Sequence, residues 1–208
     1  MNGALHGHLR LVFDQDPITA FSPLLQKGFY VDIIAGNLLD LLCQTCGLEP
    51  RDIRARIQTL FLNGKPVDDM AHTHVRDKDC LALSSAMPGL VGATMRSGGI
   101  LAGFRKSISH CPSAAPSGES GGVICIKLFN VLIHDIGPRL LERGILVPTT
   151  DLEDLLASLR EQNRTPCRQT EWNGQIVSAD ALLTMKWLQE PGFIRLQTSG
   201  GWSPVPSV

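Results

Sequence analysis

The feature that most constrains this chain is that it matches itself. LRLVFDQDPITAFSPLLQKGFYVDIIAGNLLDLL, beginning at Leu9, can be set beside CIKLFNVLIHDIGPRLLERGILVPTTDLEDLL, beginning at Cys125. Phe13 then falls on Phe129, Leu24, Leu25 and Gly28 on Leu140, Leu141 and Gly144, and Val31 on Val147. After a two-residue difference in length, Leu38, Asp40, Leu41 and Leu42 fall on Leu152, Asp154, Leu155 and Leu156. Asn63, Gly64 and Val67 then match Asn173, Gly174 and Val177. A single matched Leu or Gly carries little weight, whereas an ordered run broken only by small insertions is the mark of an internal repeat. A chain of 208 residues has room for two domains of about 100 residues each.

Each half has the same local grammar. Leu9 to Phe13 alternates apolar and polar residues, as a half-buried strand does. Gly28 and Gly144 can end a short helical turn, because glycine takes positive φ without a Cβ clash. Phe29 to Ile34 and Ile145 to Val147 are short strand-like runs. Asn37 and Asp151 precede leucine-rich helices as N-caps, and Leu38, Leu41 and Leu42, like Leu152, Leu155 and Leu156, share one helical face. Asn63-Gly64 and Asn173-Gly174 are tight-hairpin signals. Cys80 to Ser84 and Phe193 to Thr198 close the halves as strands. The order is β-β-α-β-β, one helix laid across a mixed sheet.

Between the halves, Ser107 to Gly122 reads SISHCPSAAPSGESGG, a Ser/Gly/Pro stretch without apolar period, which places a linker at 107–122. The preceding GLVGATMRSGGILAGF is Gly-rich but more apolar, and it can pack on a domain surface. Apolar residues make up 43% of the chain, enough for real cores. Nineteen basic against 20 acidic residues provide no broad positive field for nucleic acid or an anionic membrane. No secretory signal and no run of about 18 apolar residues is present. Reduced thiols in a cytoplasmic protein are the simplest account of the six scattered cysteines.

The β-β-α-β-β order resembles the β-grasp (ubiquitin-like) superfamily, and within it the sulfur-carrier proteins of thiamin and molybdopterin synthesis. In the second half IKLFNVL, ILVPTTDLEDLLASLRE, WNGQIV and FIRLQTSGG are similar to that family's successive elements. In the first half LFLNGKPVDDMAHTHVRDKDCLALSSAMPG resembles its third strand, turn, polar loop and last strand, with Arg76 to Asp79 at the family's usual turn. The likeness covers about 80 residues of each half and supports fold more than function. In the family a terminal Gly-Gly is adenylated by a partner enzyme and converted to a thiocarboxylate. The resemblance therefore marks Gly200 and Gly201, and less directly Gly98 and Gly99, as a carrier tail if the chain is cut. This sequence departs from the pattern, since Trp202 to Val208 follows one pair and Ile100 the other. A bend in an uncut chain is the expected role of both pairs.

Other motifs carry less chemistry. Cys43-Gln44-Thr45-Cys46 lies at the end of its expected helix, where the macrodipole does nothing for a thiolate. As half of a zinc site it lacks a partner pair of telling spacing. His72 and His74 fall in a loop, and His6 and His8 in a frayed N-terminus. Arg96, Arg105, Lys106 and His110 form a small basic cluster. Met87-Pro88-Gly89-Leu90-Val91-Gly92 is apolar and follows the last strand, so it is either packed on its own sheet or offered to a partner.

The expectation is an α+β protein of two tandem β-grasp domains, residues 1–106 and 123–208, joined by 107–122. It is read as a non-enzymatic interaction or adaptor protein without cofactor or metal, its partner-binding residues being Met87, Pro88, Gly89, Leu90 and Arg96. The alternatives are a carrier or protein-modifier precursor, and a small thiol or metal-dependent enzyme using Cys43 and Cys46. The implied partner is a protein, with an adenylating or cofactor-synthesis enzyme implied by the resemblance, and a sheet edge is available for self-association.

Overall fold

Alternating apolar residues set the strands, and capped leucine-rich segments set the helices. The computed structural model describes residues 4–85, 87–105, 107–110, 121–162, 167–185 and 190–202. The chain before the Ser/Gly/Pro stretch forms β1 (Ala4–Phe13), α1 (Ile18–Lys27), β2 (Phe29–Asp32), α2 (Leu38–Cys46) and α3 (Pro50–Arg56). It continues with β3 (Thr59–Leu62), β4 (Lys65–Pro66), β5 (Cys80–Ser84), α4 (Gly89–Met95) and a 3-10 turn (Ile100–Arg105). After that stretch come β6 (Val123–Phe129), α5 (Leu132–Asp135), α6 (Gly137–Arg143), β7 (Ile145–Pro148) and α7 (Thr149–Gln162). The last elements are β8 (Cys167–Trp172), β9 (Gln175–Ile176), α8 (Ala179–Leu183) and β10 (Gly192–Ser199). The protein is thus α+β with mixed strand pairing.

Local chemistry explains most boundaries. The Asn37 side chain accepts from the Asp40 amide at 2.9 Å and opens α2. Gly28 (φ 127°) and Gly144 (φ 96°) end α1 and α6, and each donates its amide to a carbonyl four residues back. Asn63-Gly64 (φ 51° and 78°) and Asn173-Gly174 (49° and 80°) turn the two hairpins with both residues at positive φ.

Two compact units form, and each takes strands from both sides of residues 107–122. One comprises Met1–Phe29 and Gly137–Ser207, with strand order β7-β10-β1-β8-β9. At its centre β1 runs parallel to β10, and β8 is antiparallel to β1. Its core joins Leu9, Leu11 and Phe13 to Ile194 and Leu196, and to Phe21, Leu25, Leu141 and Leu152 from the helices. Phe13 and Phe21 meet edge to face, centroids 5.9 Å apart.

The other unit spans Tyr30–Ile136, with order β4-β3-β5-β6-β2. Here β5 lies between antiparallel β3 and parallel β6, registered Leu81 to Ile126 and Leu83 to Leu128. Leu38, Leu41, Leu42 and Ile53 cover the core with Ile124 and Leu132. Fully burying each such side chain stabilises the fold by about 1.5–3 kcal/mol. A one-residue slip of β6 would turn its apolar set outward, so the register is strongly specified.

Several expectations change. His6 and His8 are not frayed: both lie in β1, which pairs with β10 from Ala4 onward. Asp151 is not a cap, because α7 begins at Thr149 and places Asp151 in its first turn. Each half also carries more helix than one, including α3, opened by Pro50. Residues 111–120 of the linker lie outside the described residues.

This strand sharing has a measurable consequence. With a protease site inserted within 111–120, the cut protein should still elute as one species in native buffer and separate only in denaturant. Two pieces that part without denaturant, each with native circular dichroism, would contradict the shared strands.

Candidate functional site

The chain leaves β5 at Ser84 and enters the segment singled out in the sequence. Met87 is half-buried, Pro88 and Gly89 are exposed, and Gly89 takes φ 79° to start α4. A Cβ at Gly92, the buried residue of α4, would overlap the Met87 carbonyl, so this helix turns tightly back over its own entry. Leu90 and Val91 point outward, with Leu90 75% exposed. Arg96 caps the helix and is exposed. The Ser97 amide donates to Gln58 O at 2.9 Å, its hydroxyl donates to Val67 O, and the Gly98 amide donates to Asp68 Oδ1 at 3.0 Å.

The residue that organises the segment is Arg105, 3% exposed at the end of the 3-10 turn. Its guanidinium grips Asp68 through two bonds, Nη2 to Oδ1 at 2.7 Å and Nη1 to Oδ2 at 3.1 Å. Nη1 also donates to Ser109 Oγ at 2.7 Å, Nε to Thr94 O at 2.6 Å and Nη2 to Arg96 O at 3.2 Å. A guanidinium has five N–H donors, and these contacts use all of them. Such a side chain can be buried without penalty from unpaired donors. Sequence reasoning placed Arg105 in a small basic cluster, and nothing in its neighbours signals burial. Lys106 lies outside the described residues, and His110 donates its amide to Pro66 O at 2.8 Å.

Polar bonds therefore hold this segment; Met87, Met95 and Leu101 are half-buried, and its other large apolar side chains are left outside. Ile100 is fully exposed and Phe104 is 83% exposed, alongside Leu90, Val91 and Ile108. A single exposed leucine is ordinary, but several large apolar groups exposed on one braced segment are not. Beside it lies a pocket of about 240 Å³, in which Ile57 and Met70 stand beside the polar lining of Arg54, Gln58, Asp68, Asp69, Arg96 and Ser97.

The other sequence candidates sit elsewhere. Cys43 and Cys46 fall in the last turn of α2, Cys46 buried. Burial, with the nearby Asp40 and Glu49 carboxylates, pushes the Cys43 thiol's pKa up, the direction opposite to a reactive thiolate. His72 Nδ1 contacts Asp69 at 2.7 Å and His74 Nδ1 contacts Gly36 O at 2.9 Å, so the two imidazoles serve separate loop contacts. Among the described residues no three His, Cys, Asp or Glu side chains converge as a metal site. Gly200 and Gly201 take φ 81° and 73° against the Phe13 and Gln15 carbonyls, where a Cβ would overlap. In the same unit a groove of about 130 Å³ holds Lys27 against Asp151 at 2.6 Å and Asp154 at 3.4 Å. The Asp151 hydrogen bond leads in raising the Lys27 pKa.

No family model, no curated protein and no solved structure matches the chain. Among the described residues no helix is long and apolar enough to cross a membrane.

Arg105→Ala would leave the Thr94 and Arg96 carbonyls without their donor and Asp68 with the Gly98 amide alone among the described residues. Local stability should fall by about 1–3 kcal/mol. Amide hydrogen exchange across Gly89–Arg105 should then rise about tenfold or more, with β1 unchanged. Unchanged exchange in that segment would show that Arg105 is not its brace.

Proposed function

We propose that this protein is a non-enzymatic interaction module, built from β-grasp-type halves, that docks a protein partner on the surface carried by α4 and the 3-10 turn. The observation that carries this reading is the exposure of Leu90, Val91, Ile100 and Phe104 on a segment whose buried arginine is fully satisfied within the fold. An apolar surface held in place by polar bonds behind it has lost its conformational freedom before binding, which favours association. The β-grasp element of the reading rests on the matched order of strands, helix and Asn-Gly hairpin in the two halves. The uncut chain is favoured by both glycine pairs. Gly98 donates to Asp68, and Gly200 and Gly201 pack on backbone carbonyls, so each pair works as a bend where it stands.

The test is site-specific photocrosslinking in the native host. A benzophenone amino acid at Phe104 should give a discrete adduct, and the same probe at exposed Glu153 on α7 should not. Leu90→Asp should remove the adduct while changing folding stability by no more than about 0.5 kcal/mol, as exposed substitutions do. Equal labelling from both positions, or none from Phe104, would refute the docking surface.

A further inference from the structure

The pocket beside the apolar surface has a sign. Two of its lining groups are aspartates, and both are engaged. Asp68 is gripped by Arg105, and Asp69 lies 2.7 Å from His72 Nδ1, a hydrogen bond that leads in holding its carboxyl below the usual range. The other two charged lining groups are Arg54 and Arg96, neither of which forms an ion pair among the described residues. Gln58 and Ser97 complete the polar lining. In a chain of net charge −1 this is a local feature and not part of a general basic field.

Guanidinium groups present a planar fork that matches a carboxylate. The pocket's size selects among carriers of that group. Sites for drug-sized ligands run from about 300 to 1,000 Å³, and about 240 Å³ falls below that range. It fits one or two acidic side chains better than a free metabolite. Arg96 directly follows α4, six residues after Leu90, so the apolar surface and the pocket adjoin along one helix. At 1.5 Å per residue the two are separated by about 9 Å along its axis.

We infer that the partner is an acidic amphipathic segment, its apolar side chains seated on Leu90, Val91, Ile100 and Phe104 and its Asp or Glu carboxylates in the pocket of Arg54 and Arg96. This rests on the docking reading above and supplies the chemistry of the occupant. The spacing follows from the separation. An extended partner places its acid about two or four residues from its apolar anchor, and a helical one about seven, so that both side chains share the docking face.

The experiment selects a displayed library of random unphosphorylated peptides against the full chain. The recovered peptides are then resynthesised and their affinities measured on four proteins: wild type, Arg54→Ala/Arg96→Ala, Arg54→Lys/Arg96→Lys and Leu90→Asp/Phe104→Asp. The melting temperature of each variant is recorded so that loss of fold is separated from loss of site. Recovered peptides should carry Asp or Glu beside large apolar residues. Their affinity should drop about tenfold or more in the double alanine variant, and less in the double lysine variant, which keeps charge without the fork. Affinity for wild type should also weaken as salt rises. Peptides that depend on Leu90 and Phe104 but bind the double alanine variant as well as wild type would overturn the acidic partner and leave the docking surface standing. Peptides indifferent to Leu90→Asp/Phe104→Asp, or no peptides at all, would overturn the docking reading and this inference with it.

Discussion

The parallel pairing of β5 with β6 is the contact on which the rest of the Tyr30–Ile136 unit depends. A strand inside a sheet must satisfy its amides and carbonyls on both edges. β3 serves one edge of β5, and β6, from beyond the Ser/Gly/Pro stretch, serves the other. Without β6, Leu81 and Leu83 would lose Ile126 and Leu128 beside them on the buried face. The other unit solves the same problem with β1, which lies between β10 and β8. In the unit of β1 and β10 strands from opposite ends of the chain run side by side, and in the other the consecutive strands β5 and β6 do so across the Ser/Gly/Pro stretch. The cost is the closure of a long loop, which grows only slowly with length.

From the end of β5 the exposed apolar surface follows directly. The α2 leucines and Ile53 of α3 fill the core, and the segment after β5 adds no fully buried large apolar side chain to it. It is fixed by charge instead. Arg105 draws Asp68, Thr94, Arg96 and Ser109 together, and Leu90, Val91, Ile100 and Phe104 of α4 and the 3-10 turn face outward. An apolar brace would have buried those same side chains and erased the surface. The polar brace keeps the segment ordered and its hydrophobic face available.

How much of this was legible in the sequence depended on how local the cause was. The Asn-Gly hairpins, the Asn37 cap, the Gly28 and Gly144 helix ends and the buried leucine stripe of α2 are set by residues a few positions apart, and all appear as read. The exposed Leu90 and Val91 were visible as an apolar run after a strand, although whether they faced the sheet or solvent was not. Long-range causes were hidden. His6 and His8 gain their place in β1 only because β10 arrives from the far end of the chain. Asp151 serves Lys27 across more than 100 residues, so its role could not be separated from that of a cap. Arg105 is the clearest case, since its burial is decided by Asp68 and by carbonyls that only the folded segment aims at it.

The shared strands can be tested by a distance between thiols. Cys80 and Cys125 are register partners on β5 and β6, both half-buried on the same face. Adjacent strands are about 4.8 Å apart, within reach of the shortest bifunctional thiol reagent. In a chain with Cys43, Cys46, Cys111 and Cys167 replaced by alanine, that reagent should join the Cys80 and Cys125 peptides within a single monomer, as read by mass spectrometry after digestion. Mono-adducts alone, or cross-links found only between molecules, would place β6 elsewhere and contradict the pairing from which the Tyr30–Ile136 unit is built.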